Sequence, residues 1–523
     1  MNQPNQGPYS GCVRSATTHT RRAAAFRGIL LAGAMTGSLV LGAPAAHAEI
    51  DIAEVGNLKI TLGITGGVGG FGVNNVDFGR GNFNYGSGGG VRRGRGWGEA
   101  WLKPSINFKY ILHDAPSYLA KSSSFYGSFS LVGSTTFGYG DAVAGLSTTS
   151  FRPAYVWPED MFIGWKSGGL FPDLGDDAID ISVGNQPLVL GDGLLFNSGV
   201  ANGFGRAAYY TGPRAAFQKT AILKFDPSKI GLVRGAFFHA QVASNQSLMN
   251  GFDQPMTKVV GGSIDWYGPA RQEKLGAMSD QWVVTGTYFQ IYSADQAAQG
   301  SIVSNRNGLN VFSLRAAGSF FPADRNILFF GEYIKQYNNR SGHKTDATGW
   351  YVEPGYQFSS LPWAPMVTFR YATFSGDDDP TGGGTKRSYD PLFGPGSRGL
   401  GPGLLGEIYS YYQQGLTNMD VQQVSVRATP SDSLVVGMNY YHINFNKLGQ
   451  VNQLVSPGAT VTSKRAMDEI DVYAEWSPTE YLTIVPTIGV GIPGAGYKQV
   501  DTGTGRTGTS TIFLGQVVAS IKF

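Results

Sequence analysis

From Leu58 to Phe523, apolar and polar residues trade places at every second position, in segment after segment. Ile179-Asp180-Ile181-Ser182-Val183, Val367-Thr368-Phe369-Arg370-Tyr371 and Ile470-Asp471-Val472-Tyr473-Ala474-Glu475-Trp476 are examples. A period of two sends successive side chains to opposite faces of a strand, so each segment has one apolar and one polar face. No comparable helical stripe follows Glu49. Eighteen such segments are expected, over 58–71, 97–112, 124–137, 160–167, 178–186, 216–225, 233–243, 258–267, 281–292, 309–321, 326–337, 348–358, 365–374, 420–428, 433–445, 467–476, 481–492 and 509–523.

The connections between these segments alternate in length. Counting back from the last segment, 493–508 is long, 477–480 tight, 446–466 long, 429–433 short, 375–419 very long, 359–364 short and 338–347 longer again. Long links continue at 187–215, 138–159 and 72–96, while 268–280 and 168–177 are less regular. Short turns at one end and long loops at the other are the pattern of outer-membrane barrels, and a sandwich has no reason to show it. Composition agrees. Glycine (75), Tyr (26) and Phe (31) are abundant while charged residues are only 15%, as a wall between lipid and a polar interior requires. No run of about 20 apolar residues follows Ala48, so the chain has no helix to cross a bilayer.

The first 48 residues read as a secretory signal peptide. Arg14, Arg21, Arg22 and Arg27 form an acid-free basic region, Gly28 to Leu41 is apolar, and Ala46-His47-Ala48 is a small-residue cleavage site. The expected organisation is therefore 1–48 signal peptide and 49–523 barrel. Cys12, the only cysteine, falls in the first part, without the lipobox of a lipoprotein. Removing the four arginines leaves 36 basic against 37 acidic residues, a net of −1, and gives no basis for nucleic-acid binding.

The fold expected is all-β: one closed antiparallel transmembrane β-barrel of about eighteen strands, monomeric, in the outer membrane. Phe513, Gly515, Val517, Ala519, Ile521 and Phe523 share one face, and the terminal Phe resembles the signal read by the barrel-assembly machinery. The nine tryptophans, among them Trp97, Trp157, Trp266, Trp363 and Trp476, fall near strand ends and are expected in interfacial girdles. His113, His239, His343 and His442 are scattered, and no His-Glu-x-x-His or Gly-x-Ser-x-Gly pattern occurs, so the sequence offers no catalytic centre, metal site or cofactor site.

The most distinctive stretch runs from Phe369 to Phe393. An inward Arg370 precedes Ser375-Gly376-Asp377-Asp378, and glycines lead to Tyr389-Asp390-Pro391-Leu392-Phe393. Two further elements are Ser182-Val-Gly-Asn-Gln-Pro-Leu-Val-Leu-Gly-Asp-Gly-Leu-Leu-Phe196 and the closing pair Ile470–Trp476 with Leu482-Thr-Ile and Ile492-Pro-Gly494. Together they resemble the alginate export family of outer-membrane porins, although the Gly-x-Gln element here runs into Pro187 rather than a basic residue.

The resemblance implies an eighteen-stranded monomeric barrel that passes an anionic exopolysaccharide through a lumen with basic side chains. Periplasmic export scaffolds are expected partners, beside outer-membrane lipid. By alternation Arg370, Arg315, Arg427, Lys103, Lys109 and Lys224 face inward, together with Glu99, Asp180, Asp265, Glu332, Glu353, Asp471 and Glu475. Arginine holds carboxylates through a two-pronged fork without losing its charge. Loop 375–419, with Asp377, Asp378, Lys386, Arg387, Tyr389, Asp390, Pro391, Leu392, Phe393 and Arg398, is expected to fold into the mouth and constrict it. Uptake of small sugars, sugar acids or organic acids is the alternative that the sequence leaves open.

Overall fold

The computed structural model describes residues 49–80, 82–83, 91–92, 94–112, 121–139, 154–197, 199, 207–208, 210–213, 215–227, 229, 233–243, 256–268, 282–294, 306–321, 324, 326–340, 342, 344–393, 406–409, 416–456, 458–501 and 508–523. The expected signal peptide and Arg398 lie outside these residues. The strands are β1 (Ile50–Val55), β2 (Leu58–Asn74), β3 (Asn82–Phe83), β4 (Val91–Arg92), β5 (Arg95–Ile111), β6 (Ser124–Tyr139), β7 (Ala154–Lys166), β8 (Ile179–Pro187), β9 (Ala216–Phe225), β10 (Val233–Ala243) and β11 (Met256–Tyr267). They continue with β12 (Trp282–Ala294), β13 (Asn310–Gly318), β14 (Ile327–Asn338), β15 (Thr345–Gln357), β16 (Met366–Phe374), β17 (Met419–Ser431), β18 (Leu434–Phe445), β19 (Arg465–Thr479), β20 (Leu482–Pro493) and β21 (Ile512–Lys522).

Strand β2 pairs with β5, each strand from β5 to β21 pairs antiparallel with the next, and β21 pairs back onto β2. The ring is closed and has eighteen strands. Closure removes every free edge, which lipid demands because it cannot hydrogen-bond an open backbone. Among the described residues no helix is long and apolar enough to cross a membrane.

Burial follows the period of two. On β13, Phe312 and Leu314 face out while Val311, Ser313, Arg315 and Ala317 are buried inside. On β16, Val367 and Phe369 face out and Thr368, Arg370 and Ala372 face in. The small sheet of β3 and β4 lies outside the ring.

Three features depart from the sequence reading. Strand β1 is additional: it pairs with Leu58–Leu62 of β2, just below the point where Phe523 exchanges backbone hydrogen bonds with Ile64. It continues the wall in line with β21. Strand β7 begins at Ala154, six residues before the expected start, because a bulge interrupts its alternation. Phe129 faces Met161 and Leu131 faces Pro158, so Ser130 alone opposes both Glu159 and Asp160. Finally, Trp97 and Trp157 are not girdle residues. Both are buried inside, where their indole N–H groups donate to Glu99 (3.1 Å) and Glu159 (2.8 Å). Trp266, Trp363 and Trp476 do stand exposed on the outside.

The core lies within the ring. Phe196, from the link between β8 and β9, packs against Phe217, Phe238 and Phe289 of the wall and Phe393 of the long loop, at centroid distances of 5.3, 5.3, 4.9 and 4.9 Å. The interior is therefore polar only in part: toward the outer end, β9 to β14 present apolar side chains to segments folded inward from the loops.

Candidate functional site

Each inward arginine reaches a carboxylate. Arg315 grips Asp192 with Nε (2.9 Å) and Nη2 (2.6 Å), and the Tyr351 hydroxyl donates to the same carboxylate at 2.7 Å. Arg370 Nε donates to Glu353 at 2.7 Å, across the β15–β16 pair, and Arg427 Nη2 lies 3.2 Å from Glu475. Lys103 is 2.7 Å from Asp160. Lys224 stands opposite Asp180 in the β8–β9 ladder. Lys109 is exposed near the periplasmic end, opposite Lys59, which is paired with Asp51.

Buried ion pairs return little net stability, because both charges had to leave water. What they impose is arrangement. Arg370, Glu353, Arg427 and Glu475 are all wall residues, whereas Asp192 is carried in by the folded segment 188–197.

The long loop divides into two parts. Asp377, Asp378, Lys386 and Arg387 remain at the rim. The Asp377 carboxylate accepts the backbone N–H groups of Asp379 (3.0 Å) and Arg387 (2.9 Å), which makes it the organiser of a turn. Asp378 pairs with Lys447 (3.0 Å), and Lys386 donates to the carbonyl oxygens of Pro380 and Gly382. The Arg387 side chain is 62% exposed and 3.9 Å from Asp346.

Beyond Arg387 the chain turns inward. Tyr389 is fully buried against Phe374 (5.0 Å). Its approach requires Gly349, where a Cβ would fall 2.7 Å from the Tyr389 ring. Burial, with the Glu332 and Asp390 carboxylates nearby, holds the Tyr389 phenol well above its ordinary pKa.

Asp390 exchanges two hydrogen bonds with the Gln336 amide (2.6 and 2.9 Å), and Arg306 grips its carboxylate with Nε and Nη2, both at 2.8 Å. Burial opposes the charge on Arg306, but Asp390 outweighs it and raises the pKa. Leu392 donates its N–H to Asp390, Pro391 is half-buried, and Phe393 bridges in parallel to Phe196.

The opposite wall is acidic and holds other segments by their backbone. Glu99 accepts the N–H groups of Tyr210 and Thr211, both at 2.9 Å. Glu469 accepts those of Ile408 (2.6 Å) and Tyr409 (3.0 Å), and Asp471 accepts that of Glu407 (3.0 Å). Gly406, at φ 83°, is required here: a Cβ would lie 2.5 Å from the Glu469 carboxyl carbon. The Tyr210 hydroxyl bonds Glu407 and so ties the two segments together. Sequence reasoning passed over Asp192, Arg306, Glu159, Tyr210, Glu407 and Glu469. Asp192 stands in a quoted Gly-Asp-Gly stretch, yet its partner is 123 positions away.

Residues 275–507 match the family model described as alginate export. No curated protein matches the chain. Among solved structures, OccK5 (OpdH) of Pseudomonas aeruginosa is similar at 10% identity and a TM-score of 0.49, with 88% of this chain and 98% of that one covered. OccAB4 of Acinetobacter baumannii gives 9% identity, a TM-score of 0.49 and coverage of 88% and 98%. Pseudomonas aeruginosa OpdK with vanillate gives 9%, 0.47, and the same coverage. The closed eighteen-stranded wall and the family match lead to one conclusion: the chain is an outer-membrane β-barrel channel whose residues 275–507 match the alginate export family.

Proposed function

We propose that the barrel is a passive conduit that exports an anionic exopolysaccharide, a polymer of sugar acids similar to alginate, from the periplasm to the outside. The observation that carries this reading is the pair of two-pronged contacts, Arg315 on Asp192 and Arg306 on Asp390. A uronate carboxylate offers a guanidinium the same two oxygens as an aspartate does. Cargo can therefore exchange with Asp192 and Asp390, and each exchange frees an inward segment as it engages an arginine. Many weak, exchangeable contacts along a polymer suit sliding; one tight site would stop it. Arg370, Arg427, Lys103, Lys109 and Lys224 would extend this path along the wall.

Energy would come from polymer synthesis at the inner membrane, a periplasmic scaffold would deliver the chain, and Phe523 would serve the barrel-assembly machinery. Uptake of small sugar acids or organic acids is the second reading. The inward segments around Phe196, Phe393 and Tyr210 favour it, because they occupy part of the lumen and leave less room for a polymer.

Single-channel conductance in planar bilayers tests the cargo. Anion selectivity is expected, with blockade by oligouronates that weakens in the Arg306→Gln, Arg315→Gln double variant. Cation preference, or blockade by neutral oligosaccharides alone, would rule out the acidic cargo. A deletion strain separates the directions: polymer trapped in the periplasm supports export, and a growth defect on a sugar acid supports uptake.

A further inference from the structure

At the outer end of β9 to β12 the lipid-facing wall breaks its own rule. Positions that alternation reserves for apolar side chains carry Lys219, His239 and Lys258, with Tyr292 beside them. All four lie within four residues of the loop ends of their strands, at the depth of the membrane interface. Two β-bulges build the arrangement. Opposite Ala240, β9 carries an extra residue, and Lys219 takes a left-handed conformation there (φ 46°). In β12, Tyr292 is the extra residue between Ile291 and Ser293.

Both bulges converge on one imidazole. His239 Nδ1 lies 3.1 Å from the Lys219 carbonyl oxygen and Nε2 lies 2.8 Å from the Tyr292 hydroxyl. Nδ1–H therefore donates to the carbonyl, and Nε2 accepts from the phenol. Bulges re-aim side chains and are retained as built features.

Several cations elsewhere on the rim are already neutralised. Lys335, Lys447 and Arg465 are rim cations, and each has a carboxylate partner, in Asp346, Asp378 and Asp468. Among the described residues neither the Lys219 nor the Lys258 ammonium has one. Lysines that merely snorkel to the interface need no common focus. These two stand on strands either side of β10, with His239 between them. Directly below, Phe237, Val260, Ile264 and Tyr288 face lipid, and Gly286 leaves a recess with nothing within 4 Å of where a Cβ would sit.

We infer that Lys219, Lys258, His239 and Tyr292 form a binding site for the phosphorylated headgroup of an outer-leaflet lipid, whose acyl chain lies along the recess beneath. The two ammonium groups supply charge, and His239, on the strand between them, ties the Lys219 backbone to Tyr292. The site is on the outer wall and is independent of what passes through the lumen.

Native mass spectrometry of the full barrel in neutral detergent, with bis-phosphorylated lipid A and its dephosphorylated counterpart as probes, tests this. The parent protein is expected to retain the phosphorylated lipid preferentially. Lys219→Gln with Lys258→Gln should weaken retention by about twenty-fivefold, since each cation near a charged surface contributes about fivefold. Lys335→Gln, a rim cation already paired, should change nothing. Heat-modifiable migration on gels reports folding. If the double variant does not fold, Lys258→Gln, on the unbulged strand beside the β12 bulge, should still lose about fivefold. Equal retention of the two lipids by the parent, or undiminished retention by a folded variant, would overturn the assignment.

Discussion

Two sides of the lumen hold inward-folded segments by opposite means. On one side arginines grip carboxylates that belong to the loops: Arg315 holds Asp192 and Arg306 holds Asp390. On the other, carboxylates belong to the wall and accept loop backbone: Glu99 takes Tyr210 and Thr211, while Glu469 takes Ile408 and Tyr409. The difference teaches which contacts an acidic solute can replace. A carboxylate in solution competes with Asp192 for a guanidinium. It has nothing to offer Glu469, whose partners are amide protons. One side of the closure is thus addressable by anions and the other is a fixed anchor.

The sharpest way to break this contrast is Asp192→Ala. It leaves the buried Arg315 charge without its carboxylate, a loss of about 3–5 kcal/mol. Urea unfolding in lipid should register it, and open-channel conductance should rise. Unchanged conductance would mean that segment 188–197 does not gate the passage.

Next in size is Glu469→Gln. The glutamine keeps one acceptor oxygen, but its amide nitrogen cannot accept the second N–H, so one hydrogen bond is lost and a buried donor is stranded, roughly 2 kcal/mol. Current noise should increase with no change in oligouronate blockade. A variant that alters blockade as much as Arg315→Gln does would erase the distinction between the two sides.

A wall pair supplies a smaller effect. Replacing Arg370 and Glu353 together by glutamines should cost less than about 1 kcal/mol, while Arg370→Gln alone should cost about 3, because it strands a buried carboxylate. A double-mutant cycle on unfolding free energy measures this. Smallest is Arg387→Gln. Its exposed 3.9 Å pair with Asp346 contributes below about 0.5 kcal/mol, and stability should stay within error.

Legibility in the sequence tracks the range of the physics involved. Strand positions were readable because lipid outside and protein inside impose the period of two locally, and eighteen strands follow from it. Strand β1 escaped because its alternation stops after Ile50-Asp51-Ile52, where its register with β2 shifts. The inward direction of Arg315 and Arg370 could be read from their neighbours one residue away. Their partners could not: Glu353 is across a strand pair, and Asp192 arrives from a loop whose path no local pattern encodes. Arg306 was passed over because it precedes β13, where alternation says nothing. Trp97 and Trp157 were placed in the girdle by residue type, whereas parity with Glu99 and Glu159, two positions on, sets them inside.

The bulge in β7 bears on how this chain tolerates change in length. It lets Glu159 and Asp160, neighbours in sequence, serve one side of the wall. Glu159 holds the Ala216 N–H at 3.1 Å, and Asp160 holds Lys103 and Ser130 at 2.7 and 2.9 Å. Removing either residue would restore strict alternation and leave Ala154–Pro158 in its present register with β6, because Ser130 would then oppose one residue instead of two. Every side chain in that stretch would keep its face, with Trp157 inside and Pro158 outside, and the loss would be one carboxylate and its contacts. At this place a single-codon deletion is therefore absorbed by the wall, whereas the same deletion within the regular stretch Met161–Lys166 would slip the pairing by one position and turn side chains to the other face.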